Sequence, residues 1–175
     1  MFGRAQEEIA ALEAARVPYE VVPGVTAALA ASAQLGISLT QRGAVRTVSL
    51  VTPRAGDGET ANDWARSLAA SDAGAIYMGL GQAEEIAGAL IAAGKAASTP
   101  VAVVENASLP EARVIYSTLA ALPNIVDAGL IGPALIMIGP QYRARVIASD
   151  RAITITDGAA QADDFRRAGV GAARR

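Results

Sequence analysis

The stretch 75–105, AIYMGLGQAEEIAGALIAAGKAASTPVAVVE, decides the fold class. It opens on the apolar run Ala75-Ile76-Tyr77-Met78, closed by Gly79-Leu80-Gly81. A run with helical period follows over 82–93 and is stopped by Gly94. Residues 101–105 are a short, almost continuously apolar run of the kind that forms a strand buried on both faces. Strand, helix and strand in this order predict an α/β unit.

The neighbouring segments extend the pattern. Upstream, 45–51 alternates hydroxyl-bearing and apolar residues, which predicts a strand. The polar loop 54–60 (RAGDGET) leads to a helix that starts at Asn62 or Asp63 and carries Trp64 and Leu68. Earlier still, a helix is expected over 6–16, with Ile9 and Leu12 on one side and Pro18 as its stop. Residues 19–22 read as a short strand, and Thr26 as the N-cap of an alanine-rich helix over 27–35. Gly36 is its expected left-handed end. Downstream, strands are expected at 114–117 and 134–138. The link between 105 and 114 is short and polar, so those two strands fit an antiparallel pair. The alternation predicts a largely parallel sheet that becomes mixed toward its end. From Ser149 onward the chain is polar and rich in Ala, Gly and Arg, so 148–175 is expected to be a mobile tail with at most a brief strand at 153–155.

Composition narrows the chemistry. The 175 residues are 52% apolar, enough for a core, and carry 15 basic against 17 acidic side chains. There is no basic excess to attract a phosphate backbone, so no nucleic-acid partner is expected. No apolar run reaches membrane-spanning length and no leader-like h-region follows Met1, so the expected location is the cytoplasm, with no membrane partner. Without a single Cys or His, thiol nucleophiles, imidazole bases and Cys/His metal sites drop out. No metal is expected. Catalysis must use carboxylates, arginines, hydroxyls, Lys95, the backbone or a bound cofactor.

Four places could carry a ligand. Arg4 and Glu7, three apart at a helix start, share a face. Spacing alone reads them as a surface ion pair, and a guanidinium held by a glutamate would also suit an anionic ligand. Pro23-Gly24-Val25-Thr26-Ala27 sets a hydroxyl at a helix start after a strand, a cap first and a binding site second. Gly79-Leu80-Gly81 superficially suggests a dinucleotide loop, but the third glycine of that pattern falls on Glu84, whose charge would repel a pyrophosphate. Met78 and Gly79 fit better as the lining of a crevice at a strand's carboxyl end. Glu105-Asn106-Ala107-Ser108 occupies the same kind of position after the next strand, where a plain turn is the competing reading.

Several segments in order resemble one family. FGRAQEE (2–8), VVPGVTAALAASA (21–33), LTQR (39–42), YMGL (77–80), VENAS (104–108) and PALIMIG (133–139) are similar to the tetrapyrrole methylases, most narrowly to those that methylate the carbons of uroporphyrinogen III. The resemblance covers about residues 1–146. It implies the end of a parallel-sheet N-terminal domain over 1–40, a mixed-sheet C-terminal α/β domain over 41–147, and N-terminal truncation relative to the family. The family's early acid/base Asp and Lys have no counterpart in this chain.

By motif, the resemblance implies that Met1, Thr26, Ala27, Met78 and Ala107 bind S-adenosyl-L-methionine, with Ala107 where most members carry Gly. It assigns the tetrapyrrole to Arg4, Glu7, Arg42 and Met78, with Arg4 positioning the substrate. It further implies methyl transfer to pyrrole carbons giving precorrin-2, for sirohaem or cobalamin, with the isolated 175 residues expected to be inactive or nearly so because half the cofactor cleft is missing, and a homodimer. Alternatives within the resemblance are a fragment that binds or dimerises without catalysis, and a methylase of another corrin precursor.

Overall fold

The computed structural model describes residues 1–56 and 63–149, and the backbone of 156–157. Six strands form one sheet in the order β1-β2-β5-β3-β4-β6: β1 Val48–Val51, β2 Ala73–Tyr77, β3 Pro100–Glu105, β4 Arg113–Thr118, β5 Ala134–Ile138 and β6 Thr156–Asp157. The helices are α1 Ala5–Ala14, α2 Ala27–Leu35, α3 Trp64–Ala70, α4 Ala83–Ala92 and α5 Arg143–Ser149.

The period-2 alternation of the strands sorts their side chains onto two faces. One face (Ile76, Val101, Val103, Ile136 and Ile138) packs with Leu68 of α3, Ile86 and Leu90 of α4, and the 3-10 turns Leu119–Ala128. The other (Ala75, Tyr77, Ala102, Val104, Leu135 and Met137) packs with Ala28, Ala31 and Leu35 of α2 and with Tyr142. Helices thus cover both faces of a mixed sheet, the arrangement of an α/β sandwich. The small residues of α2 let its backbone lie close to the sheet. Gly36 ends that helix at φ 61°, as expected.

The structure differs from the sequence reading in three respects. Only β1 and β2 are parallel neighbours; β2, β3, β4, β5 and β6 meet antiparallel, because β5 returns between β2 and β3. Alternation along the chain does not reveal which strand lands between two others. Residues 19–22 form no strand. Val21 and Val22 are exposed, and no described strand lies beside them to complete a ladder. Finally, α5 and the turns Leu119–Ala128 went unread. On α1 the expected side is seen: Ile9 and Leu12 are its two half-buried residues, and the other eight are exposed.

Residues 57–60 of the expected loop, the expected helix start at Asn62 and the expected strand at 153–155 lie outside the described residues. Thr156 and Asp157 pair with Val114 and Arg113. Among the described residues, no helix is long and apolar enough to cross a membrane.

The edge opposite the strands' carboxyl ends is closed by polar capping. Asp72 accepts from Arg46 N (2.8 Å), Thr47 N (2.9 Å) and Thr47 Oγ1 (2.9 Å). These bonds, the backbone one from Arg46 foremost, hold its carboxyl below the usual value. Lys95 Nζ donates to Ser71 O (2.5 Å) and Leu68 O (3.2 Å) at the end of α3, where a cation suits the helix dipole.

Candidate functional site

Strands β2 and β3 run in the same direction, so their carboxyl ends lie at one edge. Tyr77 and Val104 both stand opposite Leu135, one on each side of β5. They are therefore two strand spacings apart, about 10 Å. The chain leaves both strands in a strained way. Met78 (φ 55°), Asn106 (φ 51°) and Ser108 (φ 72°) are left-handed without being glycine. Such residues cost roughly 1–3 kcal/mol each and cluster where a site needs a particular backbone shape.

Tyr77 is the hub of this edge. Its hydroxyl accepts from the Ala28 N–H (3.0 Å) and lies 2.6 Å from Thr26 Oγ1. Thr26 does stand at the N-cap position, but its hydroxyl makes no capping bond to its own helix. The tyrosine caps α2 from the sheet instead. The Phe2 ring packs on Tyr77 with centroids 5.0 Å apart at 59°. Sequence reasoning stopped at Met78 and missed its neighbour. The available signal was a tyrosine in the last place of a buried strand, whose hydroxyl needs a partner.

These contacts bring most of the expected residues together. Thr26 is bonded to Tyr77, with exposed Ala27 next to it in the chain, and Met78, the residue after Tyr77, is 46% exposed. Met1 is next to Phe2 in sequence. Ala107 emerges from β3 at the same edge and packs on the apolar layer that contains Tyr77 and Ala28. A cleft of about 390 Å³ lies between β1 and α3, lined by residues 49–52, Asp63, Trp64, Ser67 and Phe2; Phe2 is its link to Tyr77, and none of the expected cofactor residues lines it. That volume lies in the range of small-molecule pockets.

The expected substrate residues are less well gathered. Arg4 and Glu7 form an ion pair with each other, with a second bond from Arg4 Nε to Glu7 Oε1 (2.9 Å). The Arg4 hydrogen bond holds the Glu7 carboxyl below its usual value. Both are exposed on α1. Arg42 lies in the connection from α2 to β1. On one side Leu39 O accepts from Gln141 Nε2 (3.4 Å), and on the other Arg46 N donates to Asp72. Those anchors belong to the amino-end edge of β2 and β3, so the structure does not bring Arg42 together with Met78 and Ala107.

The family profile of the tetrapyrrole (corrin/porphyrin) methylases matches residues 1–123. The chain belongs to the tetrapyrrole methylases. This methylase chain is 42% identical over 139 residues to a siroheme synthase of Chromobacterium violaceum, covering 79% of the chain and 30% of that protein. It is 41% identical over 146 residues to a siroheme synthase of Azotobacter vinelandii, covering 83% of the chain and 32% of that protein. The chain thus spans about a third of the length of these curated relatives.

Among solved structures, native uroporphyrin III C-methyl transferase from Thermus thermophilus superposes with a TM-score of 0.72 at 32% identity, over 91% of this chain and 66% of that one. The same enzyme complexed with S-adenosyl homocysteine gives 0.71 at 33% identity, over 82% and 63%.

In the methylase chain, Gly79 is fixed by packing rather than by any phosphate. A Cβ there would lie 2.6 Å from Ile86 Cδ1 and 2.9 Å from Ile76 Cγ2, both fully buried. Gly79→Ala is expected to lower stability by about 2 kcal/mol. Urea unfolding of the two proteins measures this, and an unchanged midpoint would show that the turn can move aside.

Proposed function

We propose that this chain is the cofactor- and substrate-facing part of a uroporphyrinogen-III C-methyltransferase, which moves methyl groups from S-adenosyl-L-methionine to pyrrole carbons and yields precorrin-2. The observation that carries the reading is the gathering of Thr26, Ala27, Met78 and Ala107 around the Tyr77 hub at one sheet edge. The residues present fit the donor. They offer a hydroxyl, an exposed thioether side chain and two alanines small enough for a ligand to approach the backbone. Ala107 packs against the apolar layer, so a methyl in place of the family's usual glycine has somewhere to go. On this reading, residues 1–40 end the family's N-terminal domain.

The bound donor supplies an already activated methyl group, so the protein needs no nucleophile and the lack of His and Cys is no obstacle. What the chain contributes is placement. Thr26 and Ala27 hold the donor against Met78, and the apolar layer behind Tyr77 keeps water from that side. Positioning of two reactants of this kind is worth several kcal/mol of barrier. Arg4, aligned by Glu7, presents a forked guanidinium suited to the carboxylates of the macrocycle. Arg42 enters the substrate set by resemblance alone.

A second reading is binding without turnover, and the exposure of α1 favours it. No residue of that helix, Glu7 included, is buried. Calorimetry with S-adenosylhomocysteine, combined with transfer of labelled methyl groups to uroporphyrinogen III, separates the two. Little or no turnover is expected of the 175 residues alone; turnover comparable to full-length relatives would show that the family's earlier segments are not needed, and binding without turnover supports the second reading. No binding would sink both. Sedimentation of the same sample tests the proposed homodimer.

A further inference from the structure

Among the described residues, Glu105 is the one charged side chain that is fully buried. It ends the strand Pro100–Glu105, whose other five residues are buried and uncharged. A carboxylate in such a place is costly unless every oxygen is engaged. Here both are. Glu105 Oε2 accepts from Arg113 Nε (2.5 Å), and Oε1 accepts from the backbone N–H groups of Ile131 (2.7 Å) and Gly132 (2.6 Å). Arg113 also donates through Nη2 to Gly129 O (2.8 Å). One carboxylate therefore straps the segment 129–132 to the end of β3.

The strap reaches the next turn. Asn106 N donates to Pro133 O (2.9 Å), and the Asn106 amide lies where a side chain of residue 132 would go, with Nδ2 2.7 Å from a Cβ built on Gly132. Leu109 N then closes the turn onto Asn106 O (2.9 Å). Asn106 and Ser108 keep their left-handed backbone between these two fixed points. Ala107 stands between them.

We infer that Glu105 is a positioning residue, whose carboxylate, through the strap 129–133 and Asn106, fixes the shape of the Asn106–Ser108 turn and so the placement of the Ala107 backbone toward the ligand. That the ligand is S-adenosylhomocysteine or its methylated parent rests on the function proposed above. An apolar residue at 105 would fill the space but leave two backbone donors unpaired. A glutamine keeps the size, yet turns either its NH2 toward Arg113 or its NH2 toward the two N–H groups.

The test uses the full chain and Glu105→Gln, both kept well below their melting midpoints. Amide hydrogen exchange at 106–109 and 129–132 is expected to speed up about tenfold, with the β2 and β5 amides unchanged. S-adenosylhomocysteine is expected to bind about tenfold more weakly, because the competent turn is populated less. Unchanged exchange at those amides overturns the inference. So does faster exchange with unchanged affinity, since a merely structural carboxylate would behave that way. Failure of the unsubstituted chain to bind S-adenosylhomocysteine sinks the ligand assignment, while exchange still decides the strap.

If Glu105→Gln does not fold, Arg113→Lys carries the same two measurements. It spares the two backbone bonds and removes the forked contact to Gly129. Faster exchange and weaker binding support the inference, and no change in either overturns it.

Discussion

Ile136→Ala will lower the unfolding free energy by about 4 kcal/mol and the melting midpoint by about 10 °C. Ile136 is fully buried at the centre of β5, with Ile76 opposite it on β2 and Val103 opposite it on β3. These three branched side chains stand in a row across the central strands on the face that packs with α4, and Ile136 is in the middle of that row. Truncating it removes three carbons from a place where neither strand can move without shearing its ladder. The cavity therefore stays open, and the cost falls toward the upper part of the range for large-to-small changes. Ile136→Val, which removes one methyl, is expected to cost about 1 kcal/mol. Chemical unfolding of the three proteins decides the point. A loss below 1 kcal/mol for Ile136→Ala would mean that α4 settles into the gap.

Arg113→Ala comes next in size, at about 3 kcal/mol. The guanidinium is about a quarter exposed, whereas its carboxylate partner is 1% exposed. Removing the arginine leaves Glu105 buried with two backbone donors and no counter-charge. The effect has a pH signature. The Arg113 hydrogen bond, followed by those from Gly132 and Ile131, holds the Glu105 carboxyl below its ordinary value of 4.5 against the opposing effect of burial. A carboxyl lowered in the fold stabilises it fully above its unfolded value. That contribution is lost as pH falls through the lower native value. The unsubstituted protein should therefore lose stability from this site below about pH 4.5, and Arg113→Ala should flatten that part of the curve. Parallel acid-unfolding curves for the two proteins would show that Arg113 does not govern the carboxylate.

Much of this was legible in the residues themselves. The strand-turn-helix order around Gly79 and Gly94 gave the α/β class, and Gly36 marked the end of α2. The place of β5 was not legible, because no local pattern records that a strand late in the chain will pair with β2 on one side and β3 on the other. The strand expected at 19–22 failed for a related reason: Val21 and Val22 have the right propensity, but a strand exists only with a neighbour. At the site, Thr26 and Met78 could be picked out by motif. The bond that links Thr26 to this edge goes to Tyr77, the residue before Met78 and 51 positions along the chain, so no spacing rule contains it. Glu105 looked like one polar residue in a turn. Its weight comes from two N–H groups more than 25 residues further along, which only the folded backbone aims at it.

The position of β5 also bears on how the protein is made. Synthesis runs from the amino end at roughly 5–20 residues per second. Until residues 134–138 have emerged, β1 with β2 and β3 with β4 can form only as two separate ribbons, each with an open inner border lined by Tyr77 or Val104. Uncovered borders of this kind are what neighbouring nascent chains pair with. The keystone is thus delivered only after the four strands it joins, and the half-built sheet must be kept from its own copies until it comes.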